Sequence, residues 1–305
     1  MEKRGVGIGL PGLGGALDRT FRYWALLPVF VVLLLLTAYP LVQLVGMSLS
    51  DYTFGGGSIV AHYSGLRNLE LMGEDTVFRA AVRNTLVFVV GVVLVEFVLG
   101  FVVALLASGL PRGGGLFKTV LVIPLLVPPI AIGTMWRLMY QSEFGVINAL
   151  LRELRLPTPN WLGDPAIALG SVMIVDVWHW TAFMFLILLA GLESLPAEPF
   201  EAARVDGASA WQAFRALTLP LMRPIILVAL MLRTVFAFKV FDEVFLLTTG
   251  GPGTSTEVVS MYIYKVIFRT MELGYGSFLS VVAALLTSVF VLGYLWTLRR
   301  ERIAA

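Results

Sequence analysis

Six apolar runs, at about 24–47, 84–108, 117–141, 166–191, 223–247 and 277–298, occupy most of this 305-residue chain. Crossing the hydrocarbon core of a bilayer takes about 20 residues of helix. Several of the runs exceed what a helix buried in a soluble core requires. A soluble all-α protein is the competing reading, but a hydrophobic fraction of 58% with only 14% charged residues is far from the globular norm. The sequence therefore reads as an all-α integral membrane protein with six transmembrane helices.

Positive residues set the orientation. With the N-terminus inside, Lys3, Arg4, Arg19, Arg22, Arg112, Lys118, Arg204, Arg215, Arg223, Arg299, Arg300 and Arg302 fall on inner segments. Arg67, Arg79, Arg83, Arg152, Arg155, Lys265 and Arg269 fall on longer outer segments. Both termini are thus expected in the cytoplasm. Residues 1–23 form an N-terminal arm, 24–298 the six-helix domain and 299–305 a short tail. Tyr23 and Trp24 suit an interface at the start of the first run, which is too long for a signal peptide and lacks a cleavage site. The outer loops at about 48–83, 142–165 and 248–276 are rich in Gly, Pro, Asn and Asp, as turns demand.

Several chemistries drop out. Without cysteine there are no disulfides or thiolate sites, and His62 and His179 alone make a histidine-based metal cluster implausible. Gly7, Gly9 and Gly12 match a dinucleotide-binding fingerprint, but no strand precedes them and no helix follows in the pattern that motif needs. The chain also lacks a Walker-type phosphate loop, so ATP-driven work would need another subunit.

Between the fourth and fifth runs lies a polar, glycine-broken segment, 192–222, expected on the cytoplasmic face. Pro196 and Glu198 suit the first turn of a helix ending near Asp206, with Gly207 as its left-handed cap. Ser209 and Gln212 form a capping box that starts a second short helix. Leu219-Pro220 and Pro224 are expected to break the chain before span five. Phe200, Val205, Trp211 and Phe214 give these helices apolar surface outside lipid, which must meet a partner or fold back on the bundle.

This segment carries a resemblance. Glu201-Ala202-Ala203, Gly207 and Leu217-Thr218-Leu219-Pro220 resemble the cytoplasmic "EAA" loop of binding-protein-dependent ABC importer permeases. Leu192-Glu193-Ser194-Leu195-Pro196 ahead of it, and Phe241-Asp242 leading to Leu247-Thr248-Thr249-Gly250-Gly251-Pro252, are similar to the carbohydrate branch, of the maltose and glycerol-phosphate permease type. The resemblance covers about residues 24–298. It implies that the loop docks on an ATP-binding subunit, with Glu201 as polar contact and Ala202 and Ala203 allowing close approach. Gly207 would be the bend, and Asp206, Trp211, Phe214 and Pro220 would complete the coupling surface.

Polar residues inside a membrane are costly and usually functional. Asp176, His179, Trp180 and Phe183 share one face of span four. They suit contact with sugar hydroxyls and a pyranose face, or an Asp–His pair knitting helices together; both readings stand. Trp178 points away and suits packing. In span five Lys239 and Glu243 are four apart and able to pair, while Lys239 and Asp242 near the outer end are candidates for the substrate route. Arg233 is a candidate to neutralise Glu96. Gly250, Gly251, Pro252 and Gly253 mark a sharp turn, either a turn alone or a contact for a substrate-delivery protein.

The expectation is a permease subunit of an ATP-driven importer of a sugar or polyol derivative in a bacterial inner membrane, not itself an enzyme. The resemblance implies a second permease, two nucleotide-binding subunits that hold ATP and Mg, and an extracytoplasmic solute-binding protein. No cofactor and no nucleic acid is expected on this chain. An ion-gradient-driven secondary transporter using Glu96, Asp176 and Asp242 is the alternative. An intramembrane hydrolase built on a serine and His179 finds no supporting spacing.

Overall fold

The computed structural model describes residues 13–55, 58–109 and 114–304. The arm with Gly7, Gly9 and Gly12, and the charges Lys3, Arg4 and Arg112, lie outside the described residues, as do the side chains of Arg19, Arg22, Tyr23, Trp24 and Arg302. In chain order the elements are α1 (Leu13–Ser48), β1 (Ser50–Gly55), β2 (Ser58–Tyr63), α2 (Arg67–Glu74), α3 (Thr76–Ser108), α4 (Gly115–Leu126), α5 (Pro129–Met139) and α6 (Val146–Glu153). They continue with α7 (Ala168–Glu193), α8 (Glu198–Val205), α9 (Ala210–Ala213), a π-helical turn (Phe214–Thr218), α10 (Leu219–Phe238), α11 (Asp242–Leu247), α12 (Val259–Phe268) and α13 (Leu273–Ala304).

Among the described residues, five stretches are long and apolar enough to cross a bilayer: 25–48, 76–108, 168–193, 210–247 and 273–300. The sixth expected run, 117–141, is not straight. It is the pair α4 and α5, bent by 92° and counted as one span to reach six. The bend follows from Pro128 and Pro129: the residue before a proline is pushed out of the helical region, and Val127 has ψ 128°. Span two begins earlier than expected, because the Asp75 carboxylate accepts the Phe78 amide at 2.8 Å and caps α3 there.

The loop after α1 holds an antiparallel hairpin that the all-α reading missed, with Ser50 opposite Tyr63 and Phe54 opposite Ile59. Two short segments with β-branched and aromatic residues around Gly55-Gly56-Gly57 were its signal. Among the described residues the regular structure is otherwise helical.

The core sits between α3, α7 and α10. Phe88, Val92, Val172, Val175, Ala237 and Val244 are buried together in one half of it, and Phe101, Ala104, Met184, Phe185, Leu188 and Met222 in the other. Gly100 lets α3 and α7 approach: a Cβ there would stand 2.8 Å from the Met184 Cβ. Small residues at crossings are what membrane helices use to pack without a hydrophobic driving force between them. By contrast, α1 keeps its apolar flanks outward, as a helix solvated by lipid does.

Candidate functional site

The 192–222 segment folds as its capping signals imply, except that Pro196 lies ahead of the first turn, because α8 starts at Glu198 with Ala197 as its N-cap. Glu198 and Pro199 open α8, and the chain leaves it through Gly207 at φ +75°, a left-handed conformation that a side chain would strain. The Ser209 hydroxyl accepts the Gln212 amide at 3.3 Å while the Gln212 side chain accepts the Ser209 amide at 2.7 Å, a complete capping box. Glu201, Ala202, Asp206, Gly207 and Pro220 are exposed and Ala203 is half-buried.

The four aromatic and aliphatic residues of this hairpin divide. Phe214 folds back, with its ring 6.0 Å from Phe101 of α3. Val205 and Trp211 do not: they are 88% and 68% exposed, and Trp211 stacks on Phe214 at 5.5 Å. Phe200 is half-buried beside a groove of about 530 Å³ that Leu105, Leu192, Leu195, Glu201 and Arg204 also line.

The expected chain break at Leu219-Pro220 and Pro224 does not occur. From Ala210 to Phe238 the helix is continuous through the π turn, where the Leu219 amide reaches back to the Phe214 carbonyl. The wider turn skips one bonding position and makes room for Pro220, which has no amide to donate. The hairpin of α8 and α9 is therefore joined by one rod to the middle of the helix bundle.

That rod carries Arg233, which is 1% exposed. Its Nη2 donates to Glu96 Oε1 of α3 at 2.8 Å. Its Nε also bonds Glu96, and Nη2 bonds Asp176 of α7. Three helices thus meet at one guanidinium, whose planar fork suits two carboxylates at once. The pairing with Glu96 is as expected, whereas Asp176 meets Arg233 rather than His179. His179 Nδ1 lies 3.4 Å from Glu243 of α11. Glu243 thus faces His179 rather than Lys239, because the helix breaks at 239–241 and the four-residue spacing no longer shares a face.

Trp180 stacks on Phe236 with centroids 5.2 Å apart, meets Phe183 edge-on and lies 4.9 Å from the Arg233 guanidinium carbon. Phe236 is 41% exposed, so an aromatic face opens beside the buried ions. Sequence reasoning missed Phe236; its position three residues beyond Arg233 in a polar-bearing helix was the available signal. Trp178 packs against Trp136, as its position away from that face implies. Lys239 and Asp242 are exposed and stand apart from this cluster; Lys239 lines a groove of about 660 Å³ with Val235, Ser260, Ala283 and Thr287.

Beyond α11 the chain turns through Thr249, Gly250 and Gly253, all at positive φ. A side chain at Gly250 would collide with Glu257, which Lys265 bonds. Burial pushes the Glu257 carboxyl up, and the Lys265 ammonium opposes this without cancelling it. Asn84 of α3 donates to the Thr254 and Glu257 carbonyls at 2.8 and 2.9 Å, fastening the turn to the bundle. Asp75 ends the same side of α3. Burial raises its carboxyl, but the Tyr262 and Tyr275 hydroxyls at 2.6 Å each and the Phe78 amide outweigh this and hold it below its usual 3.8.

Comparison with known proteins agrees with this layout. Residues 96–302 match the family described as binding-protein-dependent transport system inner membrane component. The trehalose/maltose transport system permease protein MalF of Thermococcus litoralis is 36% identical over 90% of this chain and 92% of its own length. The lactose transport system permease protein LacF of Rhizobium radiobacter is 32% identical over 86% and 88%. Among solved structures, a chain of a bacterial alginate ABC transporter in complex with an alginate pentasaccharide-bound periplasmic protein superposes with TM-score 0.81 at 22% identity, over 95% of this chain and 98% of that one, a likeness of fold.

Proposed function

The chain belongs to the family of binding-protein-dependent transport system inner membrane components, and from that membership we propose that it is the permease subunit of an ATP-driven importer carrying a sugar or polyol derivative inward. The names of its relatives, which include trehalose, maltose and lactose permeases, support the sugar class. Both termini lie in the cytoplasm, so that residues 192–222 face the compartment that holds ATP. A second permease completes the pathway, two separate subunits bind ATP and Mg and hydrolyse the nucleotide, and an extracytoplasmic solute-binding protein delivers the substrate.

One observation carries the coupling role: a preorganised hairpin presents Val205 and Trp211 to water on the end of a continuous helix. Exposed apolar residues on a rigid support suit a partner that covers them. Glu201, Ala202, Ala203 and Asp206 form the docking surface, Gly207 sets the angle between its two helices, and Trp211 with Phe214 transmits the push. At about 1.5 Å per residue, the rod places Arg233 some ~33 Å from Trp211. Motion at the docked hairpin then reaches the junction of Glu96, Asp176 and Arg233 without passing through a loop. On the substrate side, Trp180 with Phe236 offers an apolar face to a sugar ring, His179 lies deeper, and Lys239 and Asp242 flank the route above.

The ion-gradient alternative loses ground at the same junction, since Arg233 engages two of its three candidate carboxylates, Glu96 and Asp176. Reconstituted uptake decides between the two. Vanadate-sensitive transport that needs a co-purifying ATPase is the expected result; uptake driven by a proton or sodium gradient alone would refute the importer reading.

A further inference from the structure

The outer ends of the two broken spans border an open polar cavity of about 340 Å³, within the size range of ligand pockets. Arg137, Gln141 and Ser142 wall it from the end of α5, Asn160 from the 142–165 loop, and Thr248 with Gly251 from the turn after α11. Its polar groups are unequal. The Thr248 hydroxyl is already engaged by Val244 and Thr256. The Asn160 side-chain oxygen accepts from the Gly163 amide at 3.0 Å and from the Ser142 hydroxyl at 3.3 Å, which turns its NH2 group away from those partners. Arg137 spends one N–H on the Leu246 carbonyl at 3.4 Å, a long bond, and is otherwise exposed. Among the described residues no hydrogen bond engages the side-chain amide group of Gln141, whose backbone N–H goes to the Leu138 carbonyl.

What remains unused is thus mostly donors around one guanidinium, with no carboxylate among the lining residues. The surrounding loop carries a slight excess of negative charge, Arg152 and Arg155 against Glu143, Glu153 and Asp164, so the preference for an anion belongs to the cavity rather than to its rim. Arg137, Tyr140, Gln141 and Leu247 stand at the ends of spans three and five, and the remaining walls lie on the loops that the importer reading places outside the membrane. Resting on that reading, we propose that this cavity receives an acidic side chain of the solute-binding protein, its carboxylate held by Arg137 with Gln141 and Asn160 as flanking donors. Such a contact is charge-assisted and geometrically selective, and it fixes the orientation in which the delivery protein sits over the pathway.

The test uses the full complex in lipid nanodiscs and measures the affinity of its substrate-loaded solute-binding protein at low and high salt. Arg137→Gln is expected to weaken binding about tenfold or more at low salt and to flatten the salt dependence. Gln141→Ala, which leaves the charge in place, should weaken it by less, and Arg155→Gln on the rim should leave it unchanged. Equal losses in Arg137→Gln and Arg155→Gln, or none in either, would overturn the proposal. Unchanged affinity with a raised KM for transport would also overturn it, assigning the cavity to the substrate. A wild-type complex that binds no solute-binding protein would instead remove the importer reading itself.

Discussion

The buried junction at Arg233 and the exposed hairpin of α8 and α9 reverse the usual rule in opposite senses. Around Arg233 the chain hides three charges where lipid would penalise them, and at Val205 and Trp211 it shows apolar surface where water does. The junction is complete within one chain, since Glu96 and Asp176 satisfy the guanidinium. The hairpin is not complete, since none of the described residues covers Val205. A self-satisfied anomaly holds a fold together; an unsatisfied one specifies a partner. The two should therefore respond differently to substitution.

The largest expected effect is at the junction. Arg233→Gln leaves two buried carboxylates uncompensated, and removing one member of a buried pair costs about 3–5 kcal/mol. Thermal unfolding in detergent should show a large loss of stability. Removing all three charges together, with Glu96→Gln, Asp176→Asn and Arg233→Met, should restore most of it. If the single variant is as stable as wild type, the junction is not structural and the contrast with the hairpin fails.

Next comes Gly207→Pro. Proline fixes φ near −65°, so it cannot adopt the +75° seen at Gly207. Transport and coupled ATP hydrolysis should be abolished while membrane insertion stays intact; a fully coupled variant would remove the docking role. A smaller loss follows from Ser209→Ala, which deletes half of the capping box at a cost of about 1 kcal/mol, read as faster amide exchange over 210–213 and partial uncoupling. Trp211→Ser should leave stability within about 0.5 kcal/mol, as for an exposed position, yet weaken capture of the ATPase subunit.

The smallest effect is at Asp75, the N-cap of α3. Its folded pKa lies below the ordinary value of 3.8, so its contribution is fully present above that value and is lost as pH falls below it towards the folded pKa. Asp75→Asn should flatten the acid limb of stability below about pH 4, and leave neutral stability changed only through the lost Tyr262 and Tyr275 contacts.

Much of the hairpin was legible because its signals are local: Ser209 and Gln212 lie within one turn, and Gly207 announces a left-handed cap without reference to anything distant. The rod behind it was not. Pro220 and Pro224 read as breakers, since a sequence does not reveal that a π turn will absorb a missing amide. The junction was half legible. Arg233 and Glu96 stand out as charges within apolar runs, but the choice of Asp176 over His179 depends on how α3, α7 and α10 cross, which no single run encodes. Lys239 and Glu243 show the same limit, because their spacing pairs them only if the helix continues through 239–241. The hairpin of β1 and β2 was overlooked beside the much stronger apolar signal of its neighbours.

The chain has no cysteine, so Val205→Cys supplies one unique thiol at the centre of the proposed docking surface. Maleimide labelling of that variant, alone and in the assembled transporter, tests the coupling role directly. The account expects rapid labelling of the isolated chain, and protection together with cross-linking to the ATPase subunit in the complex. Equal labelling in both states, in a complex that still transports at the wild-type rate, would contradict it.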